Sequence, residues 1–365
     1  MMINKIRSIF VLNHIFDFLK DNRKLNLLKY NKSLQKRLNI INNDYKMLFI
    51  TLKEFRTKFK VNINDLKIKN LNLSNKILDN SNIKLLTEID FKELKELNLS
   101  ENKNFDINIL EKVKSEKINV LNLNLDEIKD INALTKVKFR CLNELYLYNN
   151  KIENIIPLQG EIFSKLKKLD LYQNKISNIQ VLENAKFEKL EVLNLGYNKI
   201  SDISALEKVN FKELKNLDLG MNKISNIDIL EKVKFPNLII LNLRCNQIVK
   251  LNVFESVEFP ELSELYLYDN KITDIEALIN AKFEKLEILN LDWNKISNIK
   301  SFESMKFKKL KRLNLIENQI NDISVFNIVK FEQLDILNLY GNLIDKNQNA
   351  STIYSLKNKI KNFIC

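Results

Sequence analysis

Apolar residues recur in one frame along most of the chain, L-x-x-L-x-L-x-x-N, and the frame repeats every 24 residues. Its first Leu falls at Leu142, Leu166, Leu190, Leu214, Leu238, Leu262, Leu286, Leu310 and Leu334, with Leu94 and Ile118 in phase upstream. A worn further copy stands at Ile68, Leu71 and Leu73. The L-x-L segment alternates with period two, so it predicts a short strand with Leu facing inward. After the Asn the spacing changes. Ile200, Ile203, Leu206 and Val209 follow at intervals of three, the spacing of a 3₁₀-like turn with one buried face.

Three further positions complete the coil. The Asn has donors and acceptors for backbone groups that a tight turn leaves unpaired. It is present from Asn102 to Asn342 except at Asp126, which lacks the donor and predicts a weaker junction. Asp202 stands where a side chain caps the turn, and Asp130, Asn178, Asn226, Asp274, Asn298 and Asp322 share its slot. A Phe precedes the first Leu by three residues, as Phe91, Phe139, Phe163, Phe187, Phe211, Phe235, Phe259, Phe283, Phe307 and Phe331. These predict a stacked aromatic spine, which Ser115 interrupts, while Glu161 falls on an otherwise apolar position.

One such coil cannot bury its own apolar face, so neighbours must stack. The repeat resembles the leucine-rich repeat, over residues 66–344. The resemblance implies an α/β solenoid with a curved parallel sheet on the concave face and short helical or 3₁₀ turns on the convex face. At strand spacing, eleven coils extend roughly 50 Å. The expected organisation is a helical N-terminal segment (1–60), an array of about twelve coils (61–345) and a C-terminal helical cap (346–365). Ile353, Leu356, Ile360 and Phe363 suggest the helix of that cap.

In the N-terminal segment Ile9, Leu12, Ile15, Phe16 and Leu19 follow helical spacing, then Leu25, Leu28, Leu34 and Leu38. The runs Leu12-Asn-His-Ile-Phe-Asp-Phe-Leu19 and Arg23-Lys-Leu-Asn-Leu-Leu-Lys-Tyr-Asn-Lys32 resemble an F-box, over residues 8–40. That resemblance implies docking on the linker protein of a cullin-type ubiquitin ligase through Leu12, Ile15, Phe16 and Leu19. The other reading of the same residues is a cap that shields the first coil, which solenoids require in any case.

On each strand the residues between the leucines face the concave side. Four offsets from the first Leu (two, four, six and seven) gather Tyr146, Tyr148, Tyr172, Tyr197, Tyr266, Tyr268 and Tyr340, and the only Trp, Trp293. Exposed Tyr and Trp point to protein binding. They form two groups, around ELYLYNNKI (144–152) and ELYLYDNKI (264–272). The chain carries a formal +13. Yet the four offsets hold nine acidic residues, among them Asp269 and Asp292, against Lys168, Arg244 and Arg312. The face therefore predicts a partner of basic and apolar character rather than a phosphate backbone. Lysines after the ladder Asn, such as Lys151 and Lys175, predict a solvated outer face.

Composition narrows the chemistry. With one His, His14, and three Cys, there is no zinc-spaced cluster, no Gly-rich phosphate loop and no nucleophile–His pair. A non-enzymatic scaffold without cofactor or metal is expected. No apolar run approaches the ~18 residues of a membrane span, and Asn13, His14 and Asp17 interrupt the only leader-like run. Reduced thiols fit a cytosolic or nuclear setting. The expected function is protein recognition on the concave face, with an F-box-type ubiquitin-ligase adaptor as its sharper form. The N-x-I-x-x-I-x-x-L spacing also resembles a protein phosphatase 1 regulator, and the short coils resemble internalin-type surface adhesins.

Overall fold

The computed structural model describes residues 53–61, 68–76, 78, 80–103, 106–329 and 331–365. The linker-docking positions Leu12, Ile15, Phe16 and Leu19, and His14, lie outside the described residues. Packing divides the chain at the coil that holds Asp126. One compact unit runs to Ile128 and includes Asn132–Leu142; the other comprises Lys129–Ile131 and Asn143–Cys365.

The first unit opens with helix α1, residues 53–59. Phe55 and Phe59 are fully buried. Their rings meet edge to face at 4.6 Å, and Phe55 lies 5.8 Å from Phe91 of the first regular coil. α1 therefore closes the apolar end that a first coil would otherwise expose to water. Strands β1 (Asn70–Asn72), β2 (Glu96–Asn98) and β3 (Val120–Asn122) pair in parallel, Leu71 beside Leu97 and Leu97 beside Leu121. The worn first coil is thus a real coil, but it returns through an α-helix, α2 (Asn80–Glu88), rather than a 3₁₀ turn. Where Phe is missing, Ser115 is buried and its hydroxyl donates to the Leu94 carbonyl at 3.2 Å.

The second unit is a parallel sheet of strands β4 (Glu144–Tyr146), β5 (Lys168–Asp170), β6 (Val192–Asn194), β7 (Asn216–Asp218), β8 (Ile240–Asn242), β9 (Glu264–Tyr266), β10 (Ile288–Asn290), β11 (Arg312–Asn314), β12 (Ile336–Asn338) and β13 (Asn362–Ile364). The register advances by one 24-residue coil, so Leu169 pairs with Leu145 and with Leu193. From β4 to β12 each coil returns through a 3₁₀ turn such as Ser204–Glu207. The fold class is therefore a leucine-rich repeat solenoid.

The Asn slot works as its chemistry predicts. Asn246 donates from Nδ2 to the carbonyls of Leu219, Leu243 and Arg244, all at 3.0 Å, and its Oδ1 accepts the Ile224 N–H at 3.0 Å. One side chain thus satisfies backbone groups of two coils. Asp202 accepts the Ser204 N–H at 2.8 Å, and Asn178, Asn226, Asp274, Asn298 and Asp322 do the same in their coils. These side chains cap by an Asx turn from one residue before the geometric N-cap. The aromatic spine is stacked. Phe211, Phe235 and Phe259 follow one another at ring distances of 6.3 and 6.4 Å, their planes nearly parallel. At Glu161 the chain makes a separate short turn, Glu161–Phe163, that leaves Glu161 exposed while burying Phe163.

The C-terminal end differs from the expectation. Helix α3 spans Ala350–Lys359 and buries Thr352 and Leu356. The chain then straightens, and Phe363 sits in β13, paired with Leu337 of β12, rather than on the helix. The helix ends at Lys359 with Lys357 and Lys359 in its last turn, where cations favour the C-terminal dipole. Along one side of the unit, side chains one residue past the first Leu pair from coil to coil. Lys167 reaches Glu191 at 3.0 Å, Glu191 reaches Lys215 at 2.8 Å, and Lys311 reaches Glu287 at 2.9 Å.

Candidate functional site on the concave face

The strand residues that point away from the core form a surface in the second unit. Its floor is polar. The offset-four Asn and Asp accept the N–H of offset six in their own coil, as Asp170 does from Tyr172 at 3.1 Å, Asn194 from Gly196 at 3.1 Å and Asp218 from Gly220 at 2.8 Å. That position stiffens the sheet. Burial pushes the carboxyls of Asp170 and Asp218 above their usual range, against the hydrogen bonds they accept. The floor therefore holds its negative charge less firmly than the formal count implies.

On this floor the aromatic residues are pre-arranged. Tyr148 stacks on Tyr172 with ring centroids 5.7 Å apart, and Tyr172 meets Tyr197 at 5.9 Å. The Tyr172 hydroxyl reaches Met221 Sδ at 3.4 Å, two coils on. Gly196 makes this reach possible, since a Cβ there would stand 2.8 Å from the Tyr172 ring. Gly220 does the same for Arg244, whose Cγ would be 2.7 Å from such a Cβ. Arg244 then places its guanidinium 5.9 Å from the Tyr268 ring, within cation–π range. The two aromatic groups read from the sequence are thus bridged by Met221 and Arg244 across two glycines.

The remaining positions separate. Tyr146 and Tyr266 donate to Glu144 and Glu264 of their own strands, at 2.5 and 2.7 Å. Burial, then the neighbouring glutamate, pushes both phenols up, Tyr266 to about 12. Lys168 lies over the Tyr146 ring at 4.9 Å. Trp293 and Tyr340 are exposed by 59% and 60%, and Tyr197 by 46%. Asp269 is exposed and raises the Cys245 thiol, after burial, to about 11. Asp292 is buried instead. Its Oδ1 accepts the Ile316 N–H of the next coil at 2.6 Å, and burial lifts its carboxyl to about 6. It thus ties one coil to the next. Among the described residues no cluster of His, Cys, Asp or Glu has the make-up to hold a metal ion, and no helix is long and apolar enough to cross a membrane.

Backbone conformation singles out one further position. Offset seven is left-handed in every coil of this unit, including Tyr197 at φ 52°, Trp293 at 54° and Gly341 at 75°. A non-glycine residue there costs about 1–2 kcal/mol. Sequence reasoning found the aromatic residues but missed Gly196 and Gly220. The signal was present, since the chain has only four glycines and two of them share offset six in consecutive coils.

The sequence model described as Leucine Rich repeats (2 copies) matches residues 164–208 and 260–304. No curated protein matches the chain in sequence. Among solved structures, an internalin, inlF, from Listeria monocytogenes superposes with a TM-score of 0.65 at 24% identity, over 86% of this chain and 94% of that one. The plant peptide hormone receptor RGFR1, in complex with RGF2, superposes with a TM-score of 0.52 at 21% identity, over 71% of this chain and 42% of that one. TLR13 in its complex with ssRNA13 gives 0.57 at 23%, over 74% and 39%. These likenesses are of fold. Since one of these relatives holds a peptide hormone and another an RNA, the fold by itself selects no ligand class.

Proposed function

We propose that the concave face of the second unit is a protein-recognition surface for a partner segment of basic and apolar character. The observation that carries this reading is the exposure of Tyr197 and Trp293, by 46% and 59%, on the concave side of their coils. Core packing does not account for large aromatic side chains held out in solvent, and such side chains are enriched where proteins bind proteins. The stacked Tyr148–Tyr172–Tyr197 row supports the same reading, because rings already held in place lose little freedom on binding. The surface is open. A groove lined by Val233, Phe235, Pro236, Phe259 and Pro260 lies away from these strand positions, so a macromolecular segment fits the face better than an enclosed small molecule.

The adaptor form of this proposal adds docking on a cullin-ligase linker through Leu12, Ile15, Phe16 and Leu19, supported by the F-box-like pattern. One experiment separates the parts. The full chain, a form lacking residues 1–60 and the Tyr197→Ala/Trp293→Ala double variant are compared by pull-down and mass spectrometry. The recognition reading expects a set of proteins at least tenfold depleted on the double variant. If that set is unchanged, the concave face is not the binding surface. Loss of linker and cullin on deletion of 1–60 alone supports the adaptor form, and their absence from the full chain removes it.

A further inference from the structure

We infer that Arg244 is an anion-reading residue at the centre of the concave face, and that it takes a carboxylate of the bound segment. The inference rests on the recognition reading above and deepens it. A purely basic segment would leave this cation facing its own charge sign.

Three observations carry it. First, Arg244 lies low on the face, with its stem laid over Gly220 where any Cβ would collide with Cγ at 2.7 Å. The Tyr268 ring flanks the guanidinium at 5.9 Å. Of the other two cations at these offsets, Lys168 is held over Tyr146 at 4.9 Å and Arg312 is exposed. Second, Arg244 makes no ion pair within 4.0 Å among the described residues. The carboxylate that acts on it, Asp218, is already engaged by the Gly220 N–H at 2.8 Å and the Asn242 amide at 3.0 Å. Third, the Arg244 Nε is buried and has no hydrogen-bond partner. The Tyr172 and Tyr268 side chains engage other parts of the guanidinium, so its inner nitrogen alone is closed off and unmatched. A counter-charge can reach only the outward nitrogens. A half-buried guanidinium without a carboxylate in contact is costly in a free protein, and a carboxylate matches its planar fork better than the two tyrosines do.

The surroundings set the ligand class. Asp218, Glu264 and Asp269 stand on the coils either side of Arg244, so a polyanion would meet several like charges. A single carboxylate among basic and apolar residues meets one cation and several anions in the right order. The carboxylate can belong to an Asp or Glu side chain or to a chain terminus.

The test is selection from a display library of random twelve-residue peptides on the full-length protein, in wild-type and Arg244→Glu forms, with melting curves to show that both fold. The Arg244→Gln variant keeps a long stem and serves if the charge reversal does not fold. Wild-type selection should enrich one acidic position among Lys, Arg and apolar residues. The reversed protein should lose that position, replace it by Lys or Arg, and bind the wild-type peptides at least tenfold more weakly. Synthetic peptides with Asp→Asn or Glu→Gln, and with amidated termini, then assign the carboxylate to a side chain or a chain end. Peptides that bind, depend on Tyr172 and Trp293, and show no acidic preference or no response to Arg244 overturn this inference while leaving recognition standing. No enrichment at all by the wild-type face overturns both.

Discussion

The coil that ends at Asn246 and the coil that ends at Asp126 place different chemistry in the same slot. Asn246 gives three hydrogen bonds and takes one, all at 3.0 Å, with one left-handed residue beside it, Cys245 at φ 51°. Asp126 accepts the Asn102 N–H at 2.6 Å, and it is flanked by two left-handed residues, Leu125 at 63° and Glu127 at 59°. Burial lifts its carboxyl to about 8, against the pull of that hydrogen bond. An amide supplies donor and acceptor at any pH. A buried carboxyl supplies a donor only while it keeps its proton. The regular slot gives donors to three carbonyls, whereas at Asp126 the bond to Asn102 is one the carboxyl accepts. The division between the two compact units falls at this coil.

The strongest way to break the comparison is to take the donor from a regular coil. Asn246→Leu leaves three carbonyls and the Ile224 N–H without their partner, and should cost about 3–5 kcal/mol in urea denaturation. A loss below about 1 kcal/mol would mean that water or a backbone shift replaces the amide. The comparison is sharpened at Asp126. The folded state holds a proton that the unfolded carboxyl releases near its ordinary pKa, so stability is fullest below about pH 4 and is lost as pH rises through about 8. The slope reaches about 1.4 kcal/mol per pH unit in that window. Asp126→Asn should flatten this part of the melting temperature against pH and raise the values above pH 7. An unchanged slope would assign the dependence to other groups.

The smallest expected effect concerns strain. Trp293→Gly should stabilise the protein by about 1 kcal/mol, since Gly meets a φ of 54° without penalty. The same change should reduce partner capture in the pull-down described above. Stabilisation with undiminished capture would detach Trp293 from recognition.

The fold was legible because it repeats. The frame was read eleven times over, with Phe and Asn each present in ten copies, and the structure uses all three positions as their spacing implies. Positions that occur once were harder. Phe363 keeps a helical spacing from Ile353, Leu356 and Ile360, yet the open edge of β12 draws it into a strand, because backbone pairing outweighs a weak periodicity. The site was half legible. Tyr172 and Arg244 stood at outward offsets, but their convergence depends on the absent side chains of Gly196 and Gly220, and periodicity is blind to an absence. Asp292 showed the converse failure. Its offset marked it as outward, while the neighbouring Ile316 amide drew it down into the sheet.

The alternating row Lys167–Glu191–Lys215 has a consequence for how such an array can change length. Removing the 24-residue coil that holds Glu191 would keep every leucine, phenylalanine and asparagine in phase, and the backbone ladder would close again. It would also bring Lys167 beside Lys215, like against like. Removing two coils would set Lys167 beside Ile239 and leave no such clash. Losing the coil of Lys167 or of Lys215 alone would set Asn143 beside Glu191 or Glu191 beside Ile239, again without a clash, so the surface charges single out the coil of Glu191 as the one this stretch loses least readily, a distinction the core does not make.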